Sequence, residues 1–172
     1  HGAEHTPIGD RIEAGTLLCA SAAAGGDVRV LGAQAAHLFM PLTVLRQMGA
    51  RTCSDADSIW LRGRAVNGVS VRTGAFPDFP TDLQAVFMAV MANADAHSEI
   101  AETVFENRFG HVPELKRMGA RIDIDGSTAV VEGGRLRGAS VEASDLRAGA
   151  ALVIAAMCAS GTTRLHGAQI IR

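Results

Sequence analysis

The chain reads Phe79-Pro80-Thr81-Asp82-Leu83-Gln84 and then continues as an almost wholly apolar run to residue 92. An aspartate therefore stands at the first turn of a helix that is apolar on every side, and such a helix is expected to be buried. Its carboxylate is either a helix cap or a chemical group that faces a cleft. Residues 10–24 and 145–159 repeat the arrangement, beginning at Asp10 and Asp145. The sequence thus predicts three buried helices, each headed by an aspartate.

The composition argues against several classes of function. A length of 172 residues predicts one domain with a hydrophobic core, over residues 1–172. The formal net charge is −2, aromatic residues make up 4% and tyrosine is absent, so nucleic-acid binding has no support. No apolar run is suited to span a bilayer, and the six histidines lack metal-binding spacing. Three cysteines without a C-x-x-C pair favour buried thiols in a reducing compartment.

A repeat of about seventy residues runs through the chain. Residues 45–51, Leu-Arg-Gln-Met-Gly-Ala-Arg, recur as residues 115–121, Leu-Lys-Arg-Met-Gly-Ala-Arg, at an offset of 70. The predicted fold is mixed α/β, built from β-α-β-α-β-β units over roughly residues 1–71, 72–142 and 143–172. The third unit stops after its first strand, so the fold is expected to lack a piece.

The strands are predicted from short apolar and β-branched runs between Gly-rich or Asn-Gly turns. They cover residues 28–31, 58–61, 69–71, 98–100, 128–131, 140–142 and 163–165. The strands at 69–71 and 140–142 are expected to close the first and second units. An amphipathic helix in each of these units ends at Gly49 or Gly119, which suit the left-handed position after a helix.

One connection differs between the units. Asp82 follows Val71 by eleven positions, whereas Asp145 follows Val141 by four. The additional residues 73–79 make a loop containing proline and glycine that the sister unit lacks. This loop is either a tolerated surface insertion or a binding and catalytic element beside an acidic helix start.

The three helix starts are candidate sites for an anion. Helices of one repeat family are expected to begin on the same side of the domain, where free N–H groups and partial positive charge meet. The arginines near those starts are Arg11, Arg72 and Arg147. Spacing favours capping for Asp10 and chemistry for Asp82, because of the loop before it, and it leaves both roles open for Asp145.

Residues 102–115, Glu-Thr-Val-Phe-Glu-Asn-Arg-Phe-Gly-His-Val-Pro-Glu-Leu, form a second dense cluster between a strand and an amphipathic helix. One interpretation is a structured connector that contains a local ion pair between Glu106 and Arg108. The other is a shelf for a flat ligand such as a nucleobase.

Five motifs together resemble the UDP-N-acetylglucosamine enolpyruvyl transferases (UDP-N-acetylglucosamine 1-carboxyvinyltransferases). They are Asp-Arg-Ile-Glu-Ala-Gly-Thr at 10–16, Phe-Pro-Thr-Asp-Leu-Gln at 79–84, Thr-Val-Phe-Glu-Asn-Arg-Phe at 103–109, His-Val-Pro-Glu-Leu at 111–115 and Ser-Asp-Leu-Arg-Ala at 144–148. The resemblance covers nearly the whole chain. The related shikimate-pathway enolpyruvyl transferase shares the repeat architecture but resembles these motifs much less.

The resemblance implies an activity and a fold. The family transfers an enolpyruvyl group from phosphoenolpyruvate to the 3′-hydroxyl of UDP-N-acetylglucosamine and releases phosphate, the first committed step of peptidoglycan precursor synthesis in the cytoplasm. Its fold, an inside-out α/β barrel type, has two similar domains, each of three β-α-β-α-β-β units. No metal or organic cofactor is implied, and neither nucleic acid nor a membrane is an expected partner.

The resemblance also implies roles for individual residues. Asp82 matches the aspartate that contacts the sugar hydroxyl and is proposed as its general base. Val104 matches a backbone contact to the nucleotide sugar, with Thr81 and Phe105 beside that pocket. The active-site residues near the phosphoenolpyruvate end are matched by Asp145 and Arg147.

The departures from the family concern length. Family enzymes are more than twice as long, and their other domain carries a reactive cysteine and further arginines. We therefore expect one domain of the enzyme, inactive by itself and completed by the missing second domain. The alternatives are a stand-alone, non-catalytic domain that binds nucleotide sugars or a protein partner, and a structural module in which the aspartates are only caps.

Overall fold

The computed structural model describes residues 2–171; His1 and Arg172, the two ends of the predicted domain, lie outside the described residues. The α-helices are α1 Arg11–Ala24, α2 Phe39–Gln47, α3 Gln84–Ala92, α4 Val112–Arg117 and α5 Leu146–Cys158. Short 3-10 helices cover Ala35–Leu38, Thr81–Leu83 and Ala168–Ile171. The strands are β1 Asp27–Leu31, β2 Arg51–Ser54, β3 Ser58–Arg62, β4 Ser70–Arg72, β5 His97–Ala101, β6 Arg121–Asp125, β7 Thr128–Glu132, β8 Ser140–Glu142 and β9 Arg164–His166.

Helices α1, α3 and α5 pack against one another in the centre of the molecule. Every residue of α3 is buried, as its apolar sequence predicts, and the Phe79 and Phe87 rings meet edge to face beside it. Cys19 of α1 is also buried, and burial raises the pKa of its thiol. These three helices are therefore the core around which the sheets are arranged.

The three central helices run in the same direction. At one end, the Asn93 side-chain amide after α3 donates a hydrogen bond to the carbonyl of Ala23 in the last turn of α1, at 3.1 Å, and Arg64 donates to the Asn93 carbonyl at 2.9 Å. At the other end, Arg147 of α5 contacts Asp82 just before α3. The helix starts thus share one side of the domain, which confirms the prediction from the repeat.

Three open sheets cover this core, and within residues 2–171 they do not close into a barrel. Their strand orders are β1-β3-β2, β4-β5-β7-β6 and β8-β9. The middle sheet contains one complete β-α-β-α-β-β unit from β4 to β7. In it β4 pairs with β5 in parallel, with Val71 opposite Ile100, and β8 pairs with β9 in the same way, with Val141 opposite Leu165.

The sheet pairings correct the predicted unit boundaries. The strand predicted at residues 69–71 is present as β4, but it pairs with β5 and so begins the second unit instead of closing the first. Likewise β8, expected to close the second unit, pairs with β9 of the third. The first strands of the closing hairpins are β2 and β6, which pair with β3 and β7 and which the sequence analysis missed. Both are edge strands whose side chains are mostly exposed, so their apolar signal is weak.

Among the described residues, no helix is both long enough and apolar enough to cross a membrane.

Gly68 and Gly138 occupy equivalent positions before β4 and β8, at the repeat offset of 70. A Cβ atom at Gly68 would overlap the carbonyl oxygen of His97, and one at Gly138 would overlap that of Thr162. The obstructing backbone belongs to the first residue of β5 at Gly68 and lies two residues before β9 at Gly138, so a side chain at either position would force the parallel strands apart.

We predict that Gly68→Ala lowers the free energy of unfolding by about 1–3 kcal/mol through this overlap. Gly110→Ala is the matched control, because a Cβ there meets no heavy atom of the described residues within 4 Å. Urea unfolding of the two variants measures the difference. Equal stability of both variants would contradict the close approach at Gly68.

His111 is a buried polar residue at the edge of the core, with Nε2 3.2 Å from the Met88 sulfur. Burial lowers the pKa of His111 to about 4, and the charge of Asp145 and a hydrogen bond with the Arg108 backbone offset this only in part. The ring is therefore neutral in the folded protein at pH 7. In the unfolded chain it binds a proton near its ordinary pKa of about 6.5.

His111 should therefore make stability depend on pH. Between pH 6.5 and about 4 the unfolded chain binds the additional proton, so the free energy of unfolding falls as the pH falls, by about 3 kcal/mol in total. We predict that His111→Met flattens this part of the stability profile. Exposed His97→Gln is the control and should keep the wild-type slope. Urea unfolding at several pH values checks this, and identical slopes for both variants would contradict it.

Candidate active site

Two of the three aspartates at the helix starts are caps. Asp10 accepts hydrogen bonds on Oδ1 from the N–H groups two and three residues later, at 2.7 and 3.3 Å. Asp145 accepts the equivalent pair at 2.9 and 3.1 Å. Each carboxylate satisfies N–H groups that the first turn of a helix leaves unpaired. The predicted capping role of Asp10 is confirmed, and Asp145 also performs it.

Asp82 differs from its two counterparts. It lies in the 3-10 turn before α3, and this turn has no side-chain cap. Its Oδ1 atom accepts a hydrogen bond from Arg147 Nε at 2.6 Å and lies 3.7 Å from Arg108 Nη1. Within residues 2–171, Oδ2 accepts no hydrogen bond, and the side chain is 39% exposed. Asp82 thus keeps one carboxylate oxygen open to a ligand.

Asp145 places Arg147 through the backbone. Burial would raise the pKa of the Asp145 carboxyl, but hydrogen bonds from the Ala148 and Arg147 N–H groups and the Ser144 hydroxyl, together with the Arg147 charge, hold that pKa below its ordinary value. The ionised carboxylate therefore fixes the first turn of α5. That turn directs the Arg147 guanidinium to Asp82.

A cavity of about 200 Å³ lies beside this pair. Its lining includes Arg108, Arg147, Asp145 and Gln84. Gln84 is 1% exposed, and its Nε2 atom has no hydrogen-bond partner in the described part of the chain. Two guanidinium groups and an unpaired amide donor make a site that fits a small anion such as a carboxylate or phosphate.

The predicted sugar-binding residues meet around Glu102. This residue accepts hydrogen bonds from the Thr81 hydroxyl at 2.8 Å and from the N–H groups of Val104 and Phe105 at 2.9 and 3.2 Å. Thr81 stands next to Asp82 in the 3-10 turn. Thr81, Asp82, Val104 and Phe105 therefore belong to one continuous surface, although they come from two separate parts of the sequence.

The loop of residues 73–79 connects the first two units. The Arg11 guanidinium at the start of α1 lies over the Phe76 ring, 5.0 Å from its centroid, and His37 meets that ring at its edge. Arg11, which the sequence suggested as an anion ligand, thus holds this loop. The tip of the loop packs on the first unit while its base contacts the second.

A second cavity, of about 500 Å³, is lined by Glu102, residues 105–110 and three residues around the β6–β7 turn, Ile124, Gly126 and Ser127. Phe105 is 53% exposed, and the Arg108 guanidinium stacks over its ring at 4.3 Å. Arg108 therefore contacts Phe105 and Asp82, and the ion pair expected with Glu106 is replaced by these contacts. The exposed ring leaves room for the flat ligand of the alternative interpretation.

The structure brings Asp82, Arg147 and Asp145 to one side of the domain and places the sugar-binding candidates beside them. Three further residues of this site were given no role in it from the sequence: Gln84, Glu102 and Arg108. Residues 2–171 contain no cluster of three or more His, Cys, Asp or Glu side chains that could hold a metal ion.

Comparison with known proteins supports the motif resemblance. The family model of EPSP synthase (3-phosphoshikimate 1-carboxyvinyltransferase) matches residues 1–172. The UDP-N-acetylglucosamine 1-carboxyvinyltransferase of Rhodopseudomonas palustris (strain BisB18) is 52% identical over 169 residues, which cover 96% of this chain and 39% of that protein. That of strain BisA53 is 51% identical over the same extent. The chain thus spans about two fifths of the length of these relatives.

Solved structures show the same architecture. The enolpyruvyl transferase NikO from Streptomyces tendae superposes with a TM-score of 0.85 at 28% identity, over 97% of this chain and 40% of that one. An EPSP synthase from Acinetobacter baumannii superposes with a TM-score of 0.74 at 16% identity, over 95% and 40% of the two chains, and shows the fold alone. With the family model matched along its whole length, the chain belongs to the EPSP synthase (3-phosphoshikimate 1-carboxyvinyltransferase) family.

Proposed function

We propose that this chain is one domain of an enzyme that transfers the enolpyruvyl group of phosphoenolpyruvate to the 3′-hydroxyl of UDP-N-acetylglucosamine and releases phosphate. The observation that carries the proposal is the hydrogen bonding of the Asp82 carboxylate. Its Oδ1 atom accepts from Arg147, which orients the group, and its Oδ2 atom is open to a ligand. The 52% identity to an enzyme of that name supports the choice of substrates.

In this proposal Asp82 is the general base. Its open oxygen accepts the proton of the sugar hydroxyl while the hydroxyl oxygen bonds to the carbon of phosphoenolpyruvate that carries the phosphate. Over the whole reaction, the bond from that carbon to the phosphate oxygen breaks, phosphate leaves with the proton taken from the hydroxyl, and the carbon–carbon double bond is retained in the product. Thr81 and the backbone of Val104 hold the nucleotide sugar beside it, and Phe105 forms the adjoining wall. Arg147 keeps the carboxylate in a single orientation, because the 2.6 Å hydrogen bond fixes Oδ1.

The cavity lined by Arg108, Arg147 and Gln84 receives phosphoenolpyruvate through one of its anionic groups. Asp145 supports this end of the site by capping α5 and thereby placing Arg147. Both substrates then lie on the side of the domain where the three central helices begin.

The proposed partners are the two substrates and a second domain of the same enzyme, which faces this surface and completes the site. The reaction would serve peptidoglycan precursor synthesis in the cytoplasm, with no nucleic acid and no membrane as a partner and with no cofactor. Transition-state stabilisation needs groups on both sides of the reacting atoms, so this domain supplies only part of the catalytic machinery.

We predict that Asp82→Asn in the whole enzyme lowers kcat by at least about 100-fold, because the amide cannot accept the hydroxyl proton. Asp10→Asn is the control, since asparagine caps a helix as well as aspartate does and leaves the site unchanged. Steady-state kinetics with both substrates and urea unfolding of each variant measure the effects. A near-normal kcat for Asp82→Asn would remove it as the base.

We also predict that the 172-residue chain alone does not release phosphate from phosphoenolpyruvate when UDP-N-acetylglucosamine is present, although amide signals near Thr81, Asp82 and Val104 shift on adding the nucleotide sugar. A phosphate assay and NMR titration test the two parts. Turnover by the isolated chain would contradict the shared active site. Specific shifts without any activity of the longer protein would favour the non-catalytic binding domain.

A further inference from the structure

The residue that directly follows the strand after each central helix differs among the three units. Gly32 follows β1 and Gly167 follows β9, and both adopt a positive φ, 71° and 73°. In the middle unit, Glu102 follows β5 at the same position and is 3% exposed. The first and third units thus have a glycine in left-handed backbone at this position. The middle unit, which contains Asp82, has a buried carboxylate there instead.

The Glu102 carboxylate is satisfied entirely by uncharged donors. Oε1 accepts from the Thr73 hydroxyl at 2.8 Å and from the Val104 and Phe105 N–H groups, and Oε2 accepts from the Thr81 hydroxyl. Residues 2–171 contain no ion pair to Glu102. A buried carboxylate costs free energy unless its hydrogen bonds are made, so these four donors and the carboxylate depend on one another.

The four donors belong to three separate segments. Thr73 begins the loop of residues 73–79 that the third unit lacks, Thr81 follows that loop in the 3-10 turn of Asp82, and Val104 and Phe105 lie after β5. Together these hydrogen bonds to Glu102 form a junction between the three segments. Thr103 strengthens this junction, since its N–H donates to the Thr73 hydroxyl and its own hydroxyl donates to the Thr73 carbonyl. Glu102 therefore fixes the distance between the Asp82 turn and the Val104 segment.

We propose that Glu102 is the positioning residue of the nucleotide-sugar part of the site. It acts through Thr81 and the Val104–Phe105 backbone and does not touch the substrate. Because Glu102 occupies the N–H groups of Val104 and Phe105, the backbone groups that this segment can still offer a ligand are its carbonyl oxygens, which accept from a sugar group that donates a hydrogen bond. The inference rests on the proposed function and assigns a structural origin to its sugar specificity.

The conservative variant separates positioning from charge. In Glu102→Gln the side-chain oxygen can still accept from Thr73 and the two N–H groups, while the amide nitrogen donates to the Thr81 hydroxyl. Glu102→Ala removes the junction and leaves the two N–H groups unpaired. Glu99→Gln is the control, since Glu99 is an exposed carboxylate on β5, three residues before Glu102.

The experiment measures kcat and the KM of each substrate for these variants in the whole enzyme. Glu102→Ala should raise the KM for UDP-N-acetylglucosamine about tenfold, because the sugar meets a segment that is no longer held. The KM for phosphoenolpyruvate should change less than about threefold, as should all constants of Glu102→Gln and Glu99→Gln. An unchanged KM for the sugar nucleotide, or equal rises of both KM values, would overturn the proposal.

Two further measurements keep the test decisive. If Glu102→Ala does not fold, Thr73→Val removes one donor of the junction; a rise confined to the sugar-nucleotide KM supports the proposal and an unchanged KM overturns it.

If the wild-type enzyme does not use UDP-N-acetylglucosamine, the proposed function fails, and amide hydrogen exchange in the 172-residue chain decides. The positioning role is supported if the amides of Val104 and Phe105 lose protection in Glu102→Ala, or in Thr73→Val where Glu102→Ala does not fold, and keep it in Glu99→Gln. Unchanged protection in that variant overturns the positioning role.

Discussion

All nine residues of α3 are buried, and a helix with no polar face can be accommodated only if other elements surround it completely. Helices α1 and α5 cover two sides of α3, and the middle sheet covers a third. Gly15 allows the close approach of α1, because a Cβ there would lie 2.6 Å from a methyl group of Leu83. Packing of three like helices in one direction then brings their starts together, and the candidate active site is built on those starts.

Equivalent positions of the repeat have different tasks in this arrangement. Asp10 and Asp145 cap their helices, whereas Asp82 is displaced by one 3-10 turn and is held by two arginines. Gly32 turns the chain after its strand, whereas Glu102 collects four hydrogen bonds at the same point. The repeat supplies the framework, and the middle unit departs from it at the candidate active site.

The core could be predicted because burial leaves a strong pattern in the sequence. The three helices follow from their apolar runs, and most strands follow from β-branched residues between turns. Strands β2 and β6 were missed because edge strands expose their side chains, although Asp125-Gly126 is a typical hairpin turn. The site residues named from the sequence came mainly from family motifs. The contacts of Arg108 and Glu102 depend on packing between segments far apart in sequence, which local spacing does not encode.

The hydrogen bonds of Asn93 have a mechanical consequence. The bond to the Ala23 carbonyl ties the last turn of α1 to the end of α3, so a tilt of α1 that preserves it must pivot at that end. The 14 residues of α1 span about 21 Å, and a tilt of about 5° would move the Asp10 end by about 2 Å. The first and second units would then separate, and the separation would be largest at the helix starts, where the candidate active site lies. The stacked pair of Arg11 and Phe76 bridges that opening and resists it.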